Sequence, residues 1–152
     1  MQPSVFSTSE ELQKLIRESP NIRISFEESE IEPLVVHELE WQPIRHGAIV
    51  KQVMSDLKPK WKKVSPVEVN ARMILHVRGP LKTSPGTLQL IVPMNDPKNA
   101  FNVKIKQPAG KETEMNWTIN SLFLLDEETS IQPVKEVIKY ISIVMKKLER
   151  SD

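Results

Sequence analysis

A chain of 152 residues can bury one hydrophobic core but is short for two, so we expect a single domain spanning residues 1–152. Its charged fraction of 27% and hydrophobic fraction of 39% are ordinary for a globular protein and exclude a disordered chain. Twenty-one Lys and Arg against 20 Asp and Glu leave a net charge of +1, so any attraction to nucleic acid or membrane must come from a local patch.

The chain contains no cysteine, which excludes disulfides, thiol catalysis and thiolate zinc sites. This absence also favours an intracellular, reducing location. No segment approaches the roughly 18 apolar residues of a membrane-spanning helix, and the first residues lack the pattern of a signal peptide. We therefore expect a protein that is soluble or peripherally membrane-associated.

The first predicted elements are two short helices and one or two strands. The hydroxyl and carboxylate side chains of Ser7–Glu10 can cap a helix, and apolar residues follow at helical spacing, which predicts a helix over residues 7–18. Alternating apolar residues predict a strand in 22–26, and a second strand is expected in 34–41. Apolar positions that repeat every three or four residues predict a helix over 48–57.

Four further strands are predicted in residues 70–125. Apolar and polar residues alternate in 72–78, 88–94, 101–106 and 115–125, and turn sequences rich in Pro, Gly, Asn and Ser separate these stretches. An antiparallel meander is the simplest arrangement of such strands. The N-terminal strands can extend this meander or lie apart from it, and the strand order stays open.

The last predicted element is an amphipathic helix over residues 132–149. Pro133 suits the first turn of a helix, and apolar residues then repeat every three or four positions: Val134, Val137, Ile138, Ile141, Val144, Met145 and Leu148. The predicted fold is therefore α+β. It consists of a mostly antiparallel sheet, formed by the meander and one or two N-terminal strands, packed against the C-terminal helix, with two shorter helices.

The predicted order of elements from Ala48 to Arg150 is a helix, four strands and an amphipathic helix. This order is similar to that of kinase-associated C-terminal domains, and equally to that of small viral matrix-type proteins. The first resemblance implies binding of acidic lipid or of a regulatory partner. Because the similarity comes from element order and a basic turn, it assigns no role to an individual residue.

No motif for catalysis, metal binding or cofactor binding is present in the sequence. The three histidines lack the spacing of a zinc helix, the four glycines do not form a phosphate-binding loop, and no serine nucleophile elbow occurs. The sequence therefore predicts a protein that is not an enzyme and that uses no cofactor or metal.

The most distinctive segment is Lys58–Lys63, in which four lysines surround an indole directly after the second predicted helix. Lysines attract anionic lipid or nucleic acid, and an indole can lie at a bilayer interface or stack on a base. The candidate residues for anion or lipid binding are Lys58, Lys60, Trp61, Lys62 and Lys63. The alternative is a solvated connection in which Trp61 packs against the edge of the core.

Two other features indicate protein contacts. Residues 27–40 contain six glutamates and no Lys or Arg, just before a basic stretch, and such patches can bind each other within one molecule or between copies. Apolar residues on both faces of the last strand and the last helix indicate either burial on both sides or a partner surface. The candidate protein interface consists of Leu122, Leu124, Tyr140, Ile143, Glu27, Glu28 and Glu30.

The leading hypothesis is a non-enzymatic protein–protein interaction or assembly domain, a scaffold whose partners are other proteins, including copies of itself. The alternative is a peripheral module that docks on anionic membrane, or on nucleic acid, through residues 58–63. An enzyme with an unconventional site would need a deep polar pocket, which a sequence pattern does not reveal.

Overall fold

The computed structural model describes residues 4–18, 33–57, 67–95, 102–134 and 136–146. Within these residues the chain forms two helices and ten strands. The helices are α1 (Glu10–Glu18) and α2 (Pro43–Leu57). The strands in chain order are β1 (Ser4–Ser7), β2 (Val35–Leu39), β3 (Val67–Arg78), β4 (Leu81–Lys82), β5 (Thr87–Pro93), β6 (Asn102–Lys106), β7 (Glu112–Asn116), β8 (Ser121–Leu125), β9 (Ser130–Pro133) and β10 (Ile138–Lys146).

The strands form two sheets in which the neighbours are antiparallel. The six-stranded sheet has the order β1-β8-β5-β10-β3-β2, and the four-stranded sheet has the order β4-β9-β6-β7. Gly79 and Pro80 connect β3 to β4 and so carry the chain from the first sheet to the second. Gly79 has a φ of 84°, and a Cβ at this position would overlap the carbonyl oxygen of Pro33. This crossing therefore requires glycine.

The six-stranded sheet is the middle of three layers. One of its faces packs against α1 and α2 and forms the helix-side core, which includes Leu12, Ile49, Val53, Leu90, Leu122, Ile141 and Ile143. The other face packs against the four-stranded sheet and forms the inter-sheet core, which includes Ile91, Val103, Ile105, Trp117, Phe123 and Tyr140. Burial of apolar surface from both sides holds the three layers together.

Both helices begin where the sequence provides a cap. Ser9 Oγ accepts a hydrogen bond of 3.2 Å from a backbone N–H in the first turn of α1, which satisfies one of the free donors at a helix start. Pro43 suits the first position of α2, and Gln42 N–H donates to His46 Nδ1 at 3.0 Å. The second helix therefore begins at Pro43 rather than at the predicted residue 48.

The predicted C-terminal helix over residues 132–149 is wrong, and so is the fold in which a sheet packs against it. This range contains the end of β9 and the whole of β10, which lies between β5 and β3 in the six-stranded sheet. A central strand is buried on both faces, so its apolar residues are consecutive and also match helical spacing. Its β-branched residues favour a strand: Ile138, Ile141, Ile143 and Val144. The resemblance to kinase-associated C-terminal and matrix-type domains loses its basis with this helix.

The predicted meander is also wrong, although strands occupy most of the predicted ranges. β3 pairs with β10 and β2, while β5 pairs with β10 and β8. β10 therefore lies between β3 and β5, and β6 belongs to the other sheet. The predicted strand 115–125 is divided into β7 and β8 by residues 117–120. The predicted strand 34–41 corresponds to β2, the predicted strand 22–26 lies outside the described residues, and β1 has no counterpart among the predictions.

Candidate functional site

The structure describes only part of the predicted site residues. Eight lie outside the described residues: Lys58, Lys60, Trp61, Lys62, Lys63, Glu27, Glu28 and Glu30. Four lie inside them, and three of these are at most 1% exposed, namely Leu122, Tyr140 and Ile143. The fourth, Leu124, is half-buried against the helix-side core.

The four described candidates belong to the core of this chain rather than to a surface. Leu122 and Leu124 face the helix-side core, while Phe123 and Leu125 of the same strand face the inter-sheet core. Helices therefore cover one face of β8 and the second sheet covers the other, which accounts for the consecutive apolar residues in this strand. A partner could reach Leu122, Tyr140 and Ile143 only if the core opened, while Leu124 stays partly accessible.

A buried histidine joins β3 to β10 of the six-stranded sheet, on the side of the inter-sheet core. His76 and Tyr140 are both fully buried. His76 Nε2 lies 2.6 Å from the carbonyl oxygen of Gly79 and must donate to it, so Nδ1 accepts from the hydroxyl of Tyr140 at 3.0 Å. Burial lowers the pKa of His76 and raises the pKa of Tyr140, so both side chains are neutral. Their polar atoms bond to each other and to the backbone at the sheet crossing.

A second buried polar group joins Thr83, the residue after β4, to β5 and β10. Thr83 Oγ1 donates to Gln89 Oε1 at 2.9 Å, and Gln89 Nε2 donates to Ser142 Oγ at 2.6 Å. All three side chains are at most 4% exposed. These hydrogen bonds satisfy groups that would be costly to bury alone, and they fix the second sheet on the first. Like the His76 pair, they are closed to a substrate.

His46 serves the start of α2. Its Nδ1 accepts the hydrogen bond from Gln42 N–H, and its ring lies 5.0 Å from that of Trp41 between centroids. Burial lowers the pKa of His46, which keeps the ring neutral and able to accept. Among the described residues, no group of three or more His, Asp or Glu side chains could hold a metal ion.

The four-stranded sheet ends on β7. The hairpin that joins β6 to β7 is fixed by two hydrogen bonds of 2.9 Å, from Gly110 N–H to the Gln107 carbonyl and from Gln107 N–H to the Lys111 carbonyl. In an antiparallel ladder, residues point their backbone groups alternately toward and away from the partner strand. This register directs the N–H and C=O groups of Glu112, Glu114 and Asn116 away from β6. No described strand pairs with them on that edge.

The side chains of β7 alternate between the two faces of the sheet. Thr113 and Met115 are half-buried on the inner face, where Met115 packs against the inter-sheet core, while Glu112, Glu114 and Asn116 are exposed. Lys106 and Lys104 of β6 stand opposite the two glutamates. No ion pair joins either glutamate to another described residue. On the outer face of the sheet, the two lysines of β6 therefore lie beside the two glutamates of β7. We call β7, together with its unpaired backbone groups and this outer face, the β7 edge.

The outer side of α2 is a second surface feature. Ile44 in its first turn is 88% exposed, and Arg45 and Lys51 are also exposed. The one acidic residue of this helix, Asp56, accepts hydrogen bonds from Ser9 Oγ at 2.5 Å and from Gln52 Nε2 at 2.8 Å. The exposed charges of α2 are therefore positive, and the helix leads directly into Lys58–Lys63.

Sequence reasoning missed the β7 edge. The signal in the sequence is the turn Pro108-Ala109-Gly110. The prediction began the following strand at residue 115, since Met115 is the first large apolar residue after the turn. A polar edge strand lacks the apolar repeat by which strands are recognised.

Comparison with known proteins assigns the chain to no family. No protein-family model matches it, and no curated protein matches it either. Among the described residues, neither helix has the length and apolar character needed to cross a membrane. Any proposal on function therefore depends on the geometry of the surfaces described above.

Proposed function

We propose that this chain is a non-enzymatic interaction or assembly domain whose partners are other proteins. The observation that supports this function best is the β7 edge. It offers outward N–H and C=O groups along five residues without a bulge, a proline or a glycine. Exposed regular edges are the sites at which proteins add a strand from another chain.

The buried polar groups also support an interaction domain over an enzyme. His76, Tyr140, Gln89 and Ser142 are at most 4% exposed, and each is hydrogen-bonded within the core. Catalytic groups need access to a substrate. In the described residues these side chains stabilise the layers instead.

The first test is partner binding by the wild-type domain and by Glu114→Pro. Proline at position 114 removes an outward N–H but no hydrogen bond to β6, so the fold should be retained. We expect the wild-type domain to bind a partner protein, and to bind it again after that partner has been purified. Glu114→Pro should not bind the purified partner.

Glu136→Pro is the matched control, because Glu136 is exposed and lies between β9 and β10. It should bind like the wild type, and thermal unfolding should show that both variants are folded. Light scattering at low and physiological salt measures self-association in parallel. A domain that stays monomeric and binds no protein under any of these conditions would contradict the proposal.

A second candidate function is docking on anionic membrane, and the exposed face of α2 favours it. Ile44 can insert at a bilayer interface while Arg45 and Lys51 approach the lipid headgroups, and the lysines of residues 58–63 would extend this positive surface. Co-sedimentation with phosphatidylserine vesicles should decrease in Ile44→Ser and should fall with added salt. Equal sedimentation of Ile44→Ser and wild type, or binding to neutral vesicles alone, would exclude this mode.

A further inference from the structure

The neighbour of an edge strand is selected by the residues that stand opposite it. A strand added beside β7 would place its own outward side chains next to Glu112 and Glu114, and its inward side chains next to Thr113 and Met115. Opposite charges across neighbouring strands are favourable and like charges are unfavourable. The β7 edge therefore discriminates between partners by charge on the outer face and by size and polarity on the inner face.

A second copy of β7 does not fit this edge. The outward residues of two antiparallel β7 strands must face each other, because only they have free N–H and C=O groups. In the two alignments that pair the most residues, Glu114 stands opposite Glu114 of the second copy, or Glu112 stands opposite Glu114 of the second copy. A parallel alignment in register brings the same carboxylates side by side. Such charged edges prevent pairing between identical chains.

The strand already paired with β7 shows the pattern that does fit. On β6, Lys104 and Lys106 stand opposite the glutamates, while Ile105 between them stands opposite Thr113 and is fully buried in the inter-sheet core. A strand on the free edge of β7 meets the same two carboxylates and the same inner face. The favoured sequence is therefore a basic residue, an apolar residue and a second basic residue.

We propose that the β7 edge binds an extended segment of a partner protein in which two lysines or arginines alternate with an apolar residue. The segment adds as a fifth strand to the four-stranded sheet. Its backbone bonds to Glu112, Glu114 and Asn116, and its two cations pair with the glutamates. Its apolar residue stands opposite Thr113 on the inner face, where the neighbouring Met115 packs against the inter-sheet core. This inference rests on the proposed function and names the class of partner.

The probe is a capped synthetic peptide with the sequence of residues 102–107, Asn-Val-Lys-Ile-Lys-Gln, added to the isotope-labelled domain. We expect the amide resonances of residues 112–116 to shift during the titration. Binding should weaken at high salt, because exposed ion pairs are screened. The apparent dissociation constant comes from the same titration.

Charge reversal tests the selectivity. Glu112→Lys/Glu114→Lys should weaken binding by about fivefold or more, since each cross-strand ion pair contributes a modest amount. A peptide in which both lysines are replaced by glutamate should bind this variant and not the wild type. Glu11→Lys/Glu136→Lys is the matched control, because it makes the same charge change at exposed sites outside β7. If the reversed variant does not fold, Glu112→Gln/Glu114→Gln replaces it.

The outcomes separate this inference from the proposed function. Shifts confined to other residues, no shift at millimolar peptide, or equal binding by the wild type and the charge-reversed variant would overturn the inference. Self-association that Glu114→Pro abolishes would support an assembly function and contradict the basic partner. The proposed function itself is tested by the binding experiment with Glu114→Pro, which does not use the peptide.

Discussion

The two sheets of this protein differ in how their strands are covered. The six-stranded sheet is packed on both faces, and its strand β10 has buried residues at six of the nine positions from Ile138 to Lys146. The four-stranded sheet is packed on one face only, and β6 alternates between exposed or half-buried and fully buried residues. Stability is thus concentrated in the first sheet, while the second presents a polar face and a selective edge.

The largest expected effect tests this difference directly. Ile143 of β10 is fully buried in the helix-side core, so Ile143→Ala should lower the free energy of unfolding by about 2–5 kcal/mol through lost burial and a cavity. Met115→Ala removes a side chain of similar size from the half-buried β7 edge and should cost less, about 1–2 kcal/mol. Urea unfolding of both variants measures the two values. Equal losses would mean that the two sheets contribute alike.

The buried polar contact between β3 and β10 should give the next largest effect. Tyr140→Phe keeps the ring in the inter-sheet core but removes the hydroxyl that donates to His76 Nδ1. An unsatisfied buried acceptor costs about 1–3 kcal/mol, which urea unfolding can detect. Ser55→Ala on the exposed side of α2 is the control and should stay within about 0.5 kcal/mol of the wild type. A Tyr140→Phe value as small as the control would show that the hydrogen bond contributes little.

These two regions also explain which parts of the fold could be predicted. A strand with one buried face keeps its alternation, so the predicted range 101–106 contains the whole of β6, Asn102–Lys106. The central strand β10 has no such alternation, and its apolar spacing fits a helix and a strand equally. Only the β-branched residues favoured the strand, and the prediction gave the spacing more importance.

The pairing of strands and of polar side chains could not be predicted from local patterns. His76 and Tyr140 are 64 positions apart in the chain, and Gln89 and Ser142 are 53 apart. The local sequence around each residue therefore does not indicate its hydrogen-bond partner. The prediction that Tyr140 and Ile143 belong to a protein interface followed from the wrong prediction of a C-terminal helix. Apolar side chains left over on a helix look available, but on a central strand they are buried. The β7 edge, in contrast, follows from the turn at 108–110 once the hairpin is recognised.

A pH effect should follow from the two buried histidines. Burial lowers the pKa of His76 and of His46 in the folded protein below the ordinary value of 6.5. Between the folded-state pKa and about pH 6.5, the unfolded chain therefore binds more protons than the folded protein does. The stabilising effect is complete above about pH 6.5 and is lost as the pH falls from there through the folded-state pKa.

Urea unfolding between about pH 7.5 and pH 5.5 measures this loss. The double variant His46→Gln/His76→Gln should show a smaller decrease over the same range, whatever its stability at neutral pH, since its side chains at these positions do not titrate. A decrease as large as that of the wild type would assign the effect to other groups, such as the carboxylates.

The smallest expected effect concerns an exposed ion pair of the six-stranded sheet. Among the described residues, Arg72 Nε lies 3.9 Å from Glu38 Oε1, on the uncovered end of the sheet, and the two side chains are 56% and 62% exposed. Solvent screens such a pair, so Glu38→Gln should change the free energy of unfolding by less than about 1 kcal/mol. The value should shrink further in high salt. If Glu38→Gln lowered the free energy of unfolding as much as Tyr140→Phe does, the exposed ion pair of β2 and β3 would stabilise the sheet as strongly as the buried hydrogen bond. The contrast between covered and uncovered regions would then not hold.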